Sequence, residues 1–116
     1  MRLTSEFWVA ALVRRVNQSG AFAALGHKGA AEAGAIFIKF RNPDGTYDLY
    51  GPAPQGAYDE SKPQDRQFIS LRQGVAEPEV DADLDKQKRW DRDLWIVEIE
   101  DYRDDRGQLF PIAPVD

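Results

Sequence analysis

Apolar and polar positions recur along the chain in helical and in alternating rhythms. Near the start, Trp8, Val9, Leu12, Val13 and Val16 fall within about 140° of one another at 100° per residue, which predicts an amphipathic helix with one core-facing stripe. Thr4 or Ser5 can cap it, Glu6 suits the positive end of its dipole, and Gly20 is a stop signal. Arg14 and Arg15 lie off that stripe. Phe7, Ala11, Arg14 and Gln18 form a second stripe on the side away from the core. A phenylalanine there needs cover: either the loop Gly51 to Pro63 folds over it, using Pro52, Pro54 or Tyr58, or another chain does. The simplest version of the second case is a twofold homodimer, in which Phe7 beside Arg14 has the composition of an interface hot spot.

The stretch from Ala21 to Gly34 is rich in alanine, which favours helix, and in glycine, which breaks it. Ala21 to His27 is read as a strand, with helix as the alternative, and Lys28 to Gly34 as the connection. Ala35 to Arg41 and Tyr47 to Tyr50 flank Asn42-Pro43-Asp44-Gly45, the chemistry of a type I turn followed by a glycine bulge. The matching register sets Ile38 opposite Tyr50 and Lys39 opposite Leu49. Ile36, Ile38, Phe40 and Tyr50 then share one face, and Phe37, Lys39, Tyr47 and Leu49 the other. Both faces are partly apolar, so each should be covered.

Phe68, Ile69 and Leu71 suggest a short strand ended by Gly74. Pro78 opens a second helix at its first position, running to about Arg89, with only Val80 and Leu84 on its apolar side. In Trp95-Ile96-Val97-Glu98-Ile99-Glu100, Trp95, Val97 and Ile99 alternate with Ile96, Glu98 and Glu100, which makes this the clearest strand in the chain. Asp104 to Gly107 reads as a turn, and prolines at 111 and 114 limit residues 102–116 to a short edge segment or tail. The expected fold is α+β: one domain over 1–116, a mostly antiparallel sheet of four to five strands, and two helices packed against it.

Composition narrows the function. The chain has 116 residues, a net charge of −5 and no cysteine, which excludes disulfides and thiolate chemistry and points to a cytoplasmic address. Residues 1–58 carry a net charge of +2 and residues 59–116 a net charge of −7, a balance that argues against a general nucleic-acid binder. No apolar run is long enough to cross a membrane as a helix. Asp81-x-Asp83-x-Asp85 resembles a calcium loop, but Lys86 and Arg92 stand where that loop needs glycine and glutamate. Gly26-His27-Lys28-Gly29 matches a nucleic-acid clamp in only two fixed positions and reads as a glycine turn. His27 is the sole histidine, so nothing calls for a metal or cofactor.

Chemical potential is confined to one acidic group. Glu98 and Glu100 share a strand face with Ile96, and an apolar neighbour can raise a carboxylate's pKa toward acid–base use, with Arg41 as a nearby cation. The plainer expectation is that both pair with Lys39 or Arg41, or face water. No residue is assigned a catalytic role on this basis.

Four strings in order, Arg2 to Arg15, Ala33 to Phe37, Leu49 to Gln55 and Asp93 to Asp101, resemble an uncharacterised family of short alphaproteobacterial proteins known as domain of unknown function 1491. The resemblance spans nearly the whole chain and implies a free-standing bacterial cytoplasmic protein, with no activity attached. The expected function is therefore a small binding or protein-interaction module without catalysis, acting on an unidentified protein or as a homodimer. The alternative is a small acid–base enzyme using Glu98 and Glu100 on a small polar metabolite. A shared fold alone does not decide between them.

Overall fold

A computed structural model describes residues 3–54 and 66–114. The elements follow in the order α1 (Ser5–Gln18), β1 (Phe22–His27), β2 (Ile36–Arg41), β3 (Tyr47–Pro52), β4 (Phe68–Val75), α2 (Glu77–Trp90) and β5 (Trp95–Glu100). The five strands form one sheet in the order β1-β5-β2-β3-β4. β5 is parallel to β2, and the other pairs are antiparallel. The α+β architecture expected from the sequence is present.

The hairpin forms in the expected register, Ile38 with Tyr50 and Lys39 with Leu49. Gly45 takes φ +87°, and its amide donates to Asn42 O at 2.9 Å, so the left-handed position falls on the residue that tolerates it. The stretch expected as strand over Ala21 to His27 is strand from Phe22, because its backbone pairs with β5 and tertiary pairing overrides alanine's helix preference. Thr4, not Ser5, caps α1: its hydroxyl accepts from the Phe7 amide. Ser5 is instead buried, and its hydroxyl donates to Gly34 O at 2.6 Å.

β2 is buried on both faces from Ile36 to Phe40. On one face, Ile36, Ile38, Phe40, Tyr50, Trp95, Val97 and Ile99 meet Val9, Leu12 and Val16 of α1, with Trp8 partly buried beside them. On the other, Phe37, Leu49 and Ile96 meet Val80 and Leu84 of α2. α2 packs mainly on β3 and β4, and its apolar stripe also covers Ile96 at the start of β5.

Three local expectations shift. α2 starts one residue early, at Glu77, which places Pro78 second in the helix. β4 runs through Gly74, at φ +62°, to Val75, because irregular pairing with β3 absorbs the turn that glycine makes. Residues 102–116, read as edge segment or tail, supply Leu109, Phe110 and Ala113 to the core, and Ile112 bridges β4 at Phe68. Proline at 111 tolerates this because the ladder it joins is an edge, where its carbonyl accepts from the Phe68 amide at 2.9 Å.

Candidate functional site

Period two along β5 carries Glu98 and Glu100 to the same sheet face as Ile96, where both are half-buried. Register sets Glu98 beside Lys39 and Ala24, and Glu100 beside Phe22 on the edge strand. The expected pairing with basic neighbours is met only in part. Arg41 Nη1 lies 3.9 Å from Glu100 Oε2, a loose and solvent-exposed contact. Lys39 turns the other way, with its Nζ 2.6 Å from Glu77 Oε2 and 2.8 Å from Asp81 Oδ1 at the start of α2. Glu98 instead lies over Gly26, where any Cβ would meet its Oε2 at 2.5 Å.

Lys39 is the buried cation that fastens α2 to the sheet. Burial disfavours its charge, but hydrogen bonds to Asp81 and Glu77 outweigh that and hold the ammonium well above the ordinary lysine range. The same bond from Lys39 holds the Glu77 carboxyl below its ordinary value. The other two acids of the failed calcium loop also go to separate cations, Asp83 to Arg72 at 2.7 Å and Asp85 to Lys88 at 3.3 Å. The three carboxylates diverge instead of converging on one point. Among the described residues no group of three metal-ligating side chains comes together.

A second cluster was missed in the sequence. Arg106 Nη1 donates to Asp48 Oδ2 at 2.5 Å and to Tyr50 Oη at 2.9 Å, and its Nη2 donates to Asn42 Oδ1 at 2.6 Å. The guanidinium lies 3.7 Å from the centroid of the Phe40 ring, in cation–π range. Asp48 Oδ1 also accepts from the Gly74 amide at 2.7 Å and from Asn42 Nδ2 at 2.9 Å. Burial opposes ionisation of Asp48, yet these donors together keep its carboxyl below the usual carboxylate range. Asp48, Tyr50, Asn42 and Arg106 are each hydrogen-bonded within the cluster, which ties β3 to the segment after β5. One signal was present: Asp48 alternates onto the apolar face with Tyr50, and an acid there requires a cation.

Gly26-His27-Lys28-Gly29 does not form the expected glycine turn: Gly26 and His27 end β1, and Lys28 and Gly29 begin the connection, where glycine serves close packing. A Cβ on Gly29 would overlap the backbone carbonyl oxygen of Asp93 and meet that of Leu94 at 2.5 Å. His27 is tied down as well, its Nδ1 donating to Leu94 O at 2.8 Å. A clamp for a nucleic-acid backbone needs that surface open, and here strand β5 begins against it.

A cleft of about 380 Å³ opens beside the start of α1, with Thr4, Glu32, Gly34, Pro52, Arg66 and Asp91 among its lining residues. Glu98, Glu100 and Arg41 are not among them. Two carboxylates and one guanidinium lie on its walls, and Arg66 Nη2 already donates to Leu3 O at 2.8 Å.

Of the candidate interaction residues, Phe7 is 61% exposed, and Arg14 is exposed two turns further along α1. Leu3, just ahead of the Thr4 cap, is also exposed. Tyr58 lies outside the described residues. Trp90, at the end of α2, is 80% exposed and had no place in the sequence reading, because it falls off the stripe marked by Val80 and Leu84.

The model of a protein family of unknown function, DUF1491, matches residues 3–109. The chain belongs to the DUF1491 family. A DUF1491 protein from Caulobacter crescentus, solved by crystallography, is 34% identical, with a TM-score of 0.78 over 98% of this chain and 100% of that one. An NMR structure of a Caulobacter crescentus DUF1491 protein gives 35% identity and a TM-score of 0.77, over 98% of this chain and 99% of that one. The solution structure of Atu0922 from A. tumefaciens is 46% identical, with a TM-score of 0.81 over 97% of this chain and 95% of its own. Among functionally curated proteins, none matches. Among the described residues, no helix of this DUF1491 chain is long and apolar enough to cross a membrane.

Proposed function

We propose that this DUF1491 protein is a small cytoplasmic interaction module that binds another polypeptide through the exposed side of α1 and performs no chemistry of its own. Phe7 carries the reading. It is 61% exposed on a helix whose opposite face is closed on the core, and the exposed Arg14 extends the same side two turns on. An aromatic beside an arginine on such a surface is the usual composition of a binding hot spot. The bound chain is a second copy or another protein. The acid–base alternative needs Glu98 and Glu100 in a concavity, and the 380 Å³ cleft lies elsewhere.

Site-specific photo-crosslinking tests this. A photoreactive phenylalanine analogue at position 7, irradiated in native lysate, should yield one discrete adduct, and the same analogue at Asp44 in the hairpin turn should yield none. The adduct's mass separates a second copy from a different protein. No adduct at position 7 would end the proposal.

A further inference from the structure

We propose that the outward face of α2 is a self-association surface, on which α2 of a second copy lies antiparallel about a twofold axis. It lies on a different helix from the α1 stripe and does not depend on that stripe having a partner. α2 is sharply divided in charge. Glu77, Glu79, Asp81, Asp83 and Asp85 fill its first part without a cation, and Lys86, Lys88, Arg89 and, just beyond it, Arg92 fill the end. The helix dipole accounts for the sign at each end. It does not account for Trp90, an indole left 80% exposed among those cations.

With Val80 and Leu84 facing the sheet, 100° per residue turns Pro78, Glu79, Ala82, Asp85, Lys86 and Arg89 outward, and all six are exposed. The small side chains of Pro78 and Ala82 let another helix approach closely. Of the five acids, Glu77 and Asp81 are held by Lys39, Asp83 by Arg72 and Asp85 by Lys88. Glu79 makes no ion pair among the described residues, and neither do Lys86, Arg89 or Arg92.

Antiparallel pairing with the axis near residue 84 gives both Glu79 and Trp90 a partner. Glu79 faces Arg89 of the second copy, and Trp90 lies on Pro78 of the second copy. Symmetry makes each contact twice. Glu79, the acid of the five left without an ion pair among the described residues, thereby meets a cation, and symmetry supplies the same contact from the other helix. A nucleic acid would meet the same cations, but it would also meet a chain of net charge −5.

Sedimentation equilibrium of the full chain, from micromolar to millimolar concentration, tests the pairing. Wild type should show a reversible monomer–dimer equilibrium that weakens as salt is raised. Glu79→Arg and Arg89→Glu should each weaken it about tenfold or more. An equimolar mixture of the two variants should regain the dimer, because both cross-contacts, one natural and one reversed, are again of opposite sign. Trp90→Ala should weaken the dimer at every salt concentration. All these positions are exposed, and circular dichroism should show an unchanged fold. A wild type that stays monomeric, including one that binds heparin instead, overturns the proposal. So does a mixture that fails to recover. A dimer indifferent to both charge reversals also overturns it, and position 7 crosslinking would still report independently on α1.

Discussion

The side-chain amide of Asn17 closes the free edge of β1 at Ala23: Oδ1 accepts from the Ala23 N–H at 3.0 Å, and Nδ2 donates to the Ala23 carbonyl at 3.4 Å. β1 is an outer strand, and its six residues, Phe22 to His27, include no lysine or proline to discourage another strand from pairing. Asn17, from the last turn of α1, occupies the two backbone groups that Ala23 would offer a partner strand. Asn17→Ala should cost about 1–2 kcal/mol, since it leaves a buried amide unpaired. Chemical denaturation measures that loss, and light scattering on slow heating should show earlier aggregation than in wild type.

Leu12 and Ile38 are fully buried in the core shared by α1 and the sheet. Leu12→Ala and Ile38→Ala should each destabilise by about 2–5 kcal/mol. Phe7→Ala, on the exposed side of the same helix, should change stability by about 0.5 kcal/mol or less. Urea titrations of the three variants distinguish a core residue from a surface one.

Arg106→Met should cost about 2–4 kcal/mol, because it strands the Asp48 carboxylate among groups arranged to receive a cation. The effect has a pH signature. The folded-state pKa of Asp48 lies below its ordinary value, so its contribution is fully present above about pH 4 and is lost as pH falls through the folded value. In Arg106→Met that depression shrinks, and the acid limb of the stability curve should flatten.

Lys39 works at the opposite limb. Its pKa is raised in the fold, so its contribution is complete below the unfolded value, about 10.4, and is lost only as pH rises through the folded one. Removing its partners with Glu77→Gln and Asp81→Asn leaves a buried ammonium without a counter-charge. Lys39→Met removes charge and burial cost together. The double variant should therefore melt lower than Lys39→Met, as scanning calorimetry near neutral pH would register.

Glu98→Gln with Glu100→Gln should change stability by no more than about 1 kcal/mol, since among the described residues the one ion pair involved, to Arg41, is long and exposed. Equilibrium unfolding in urea checks this directly.

What could be read from the sequence was local. Asn42-Pro43-Asp44-Gly45 dictates a turn, the turn dictates the register, and the register places Ile38, Phe40 and Tyr50 together. Alternation in β5 likewise sorts Val97 from Glu98 without any tertiary information. The strand order was not accessible, because no local pattern says that β5 inserts beside β2 in parallel. Arg106 was hidden for the same reason: its partners lie at 42, 48 and 50, across a sheet that periodicity cannot assemble. Gly29 and Gly34 read as breakers, and their actual task is to let the 28–34 connection touch the Asp93 carbonyl.

The place of β5 in the sheet has a consequence for how the protein is made. β1 and β2 leave the ribosome early, but the strand that joins them is the last of the five to be synthesised. Until Trp95 to Glu100 emerges, the nascent chain holds a finished β2–β3 hairpin with one bare flank and a β1 with nothing to pair against. The hairpin can form as soon as it is free, since its contacts are local. Closure must wait for the long-range insertion that costs the most chain entropy. A ribosome that stalls before residue 95 would therefore release a chain with open strand edges, the kind of species that chaperones and proteases intercept.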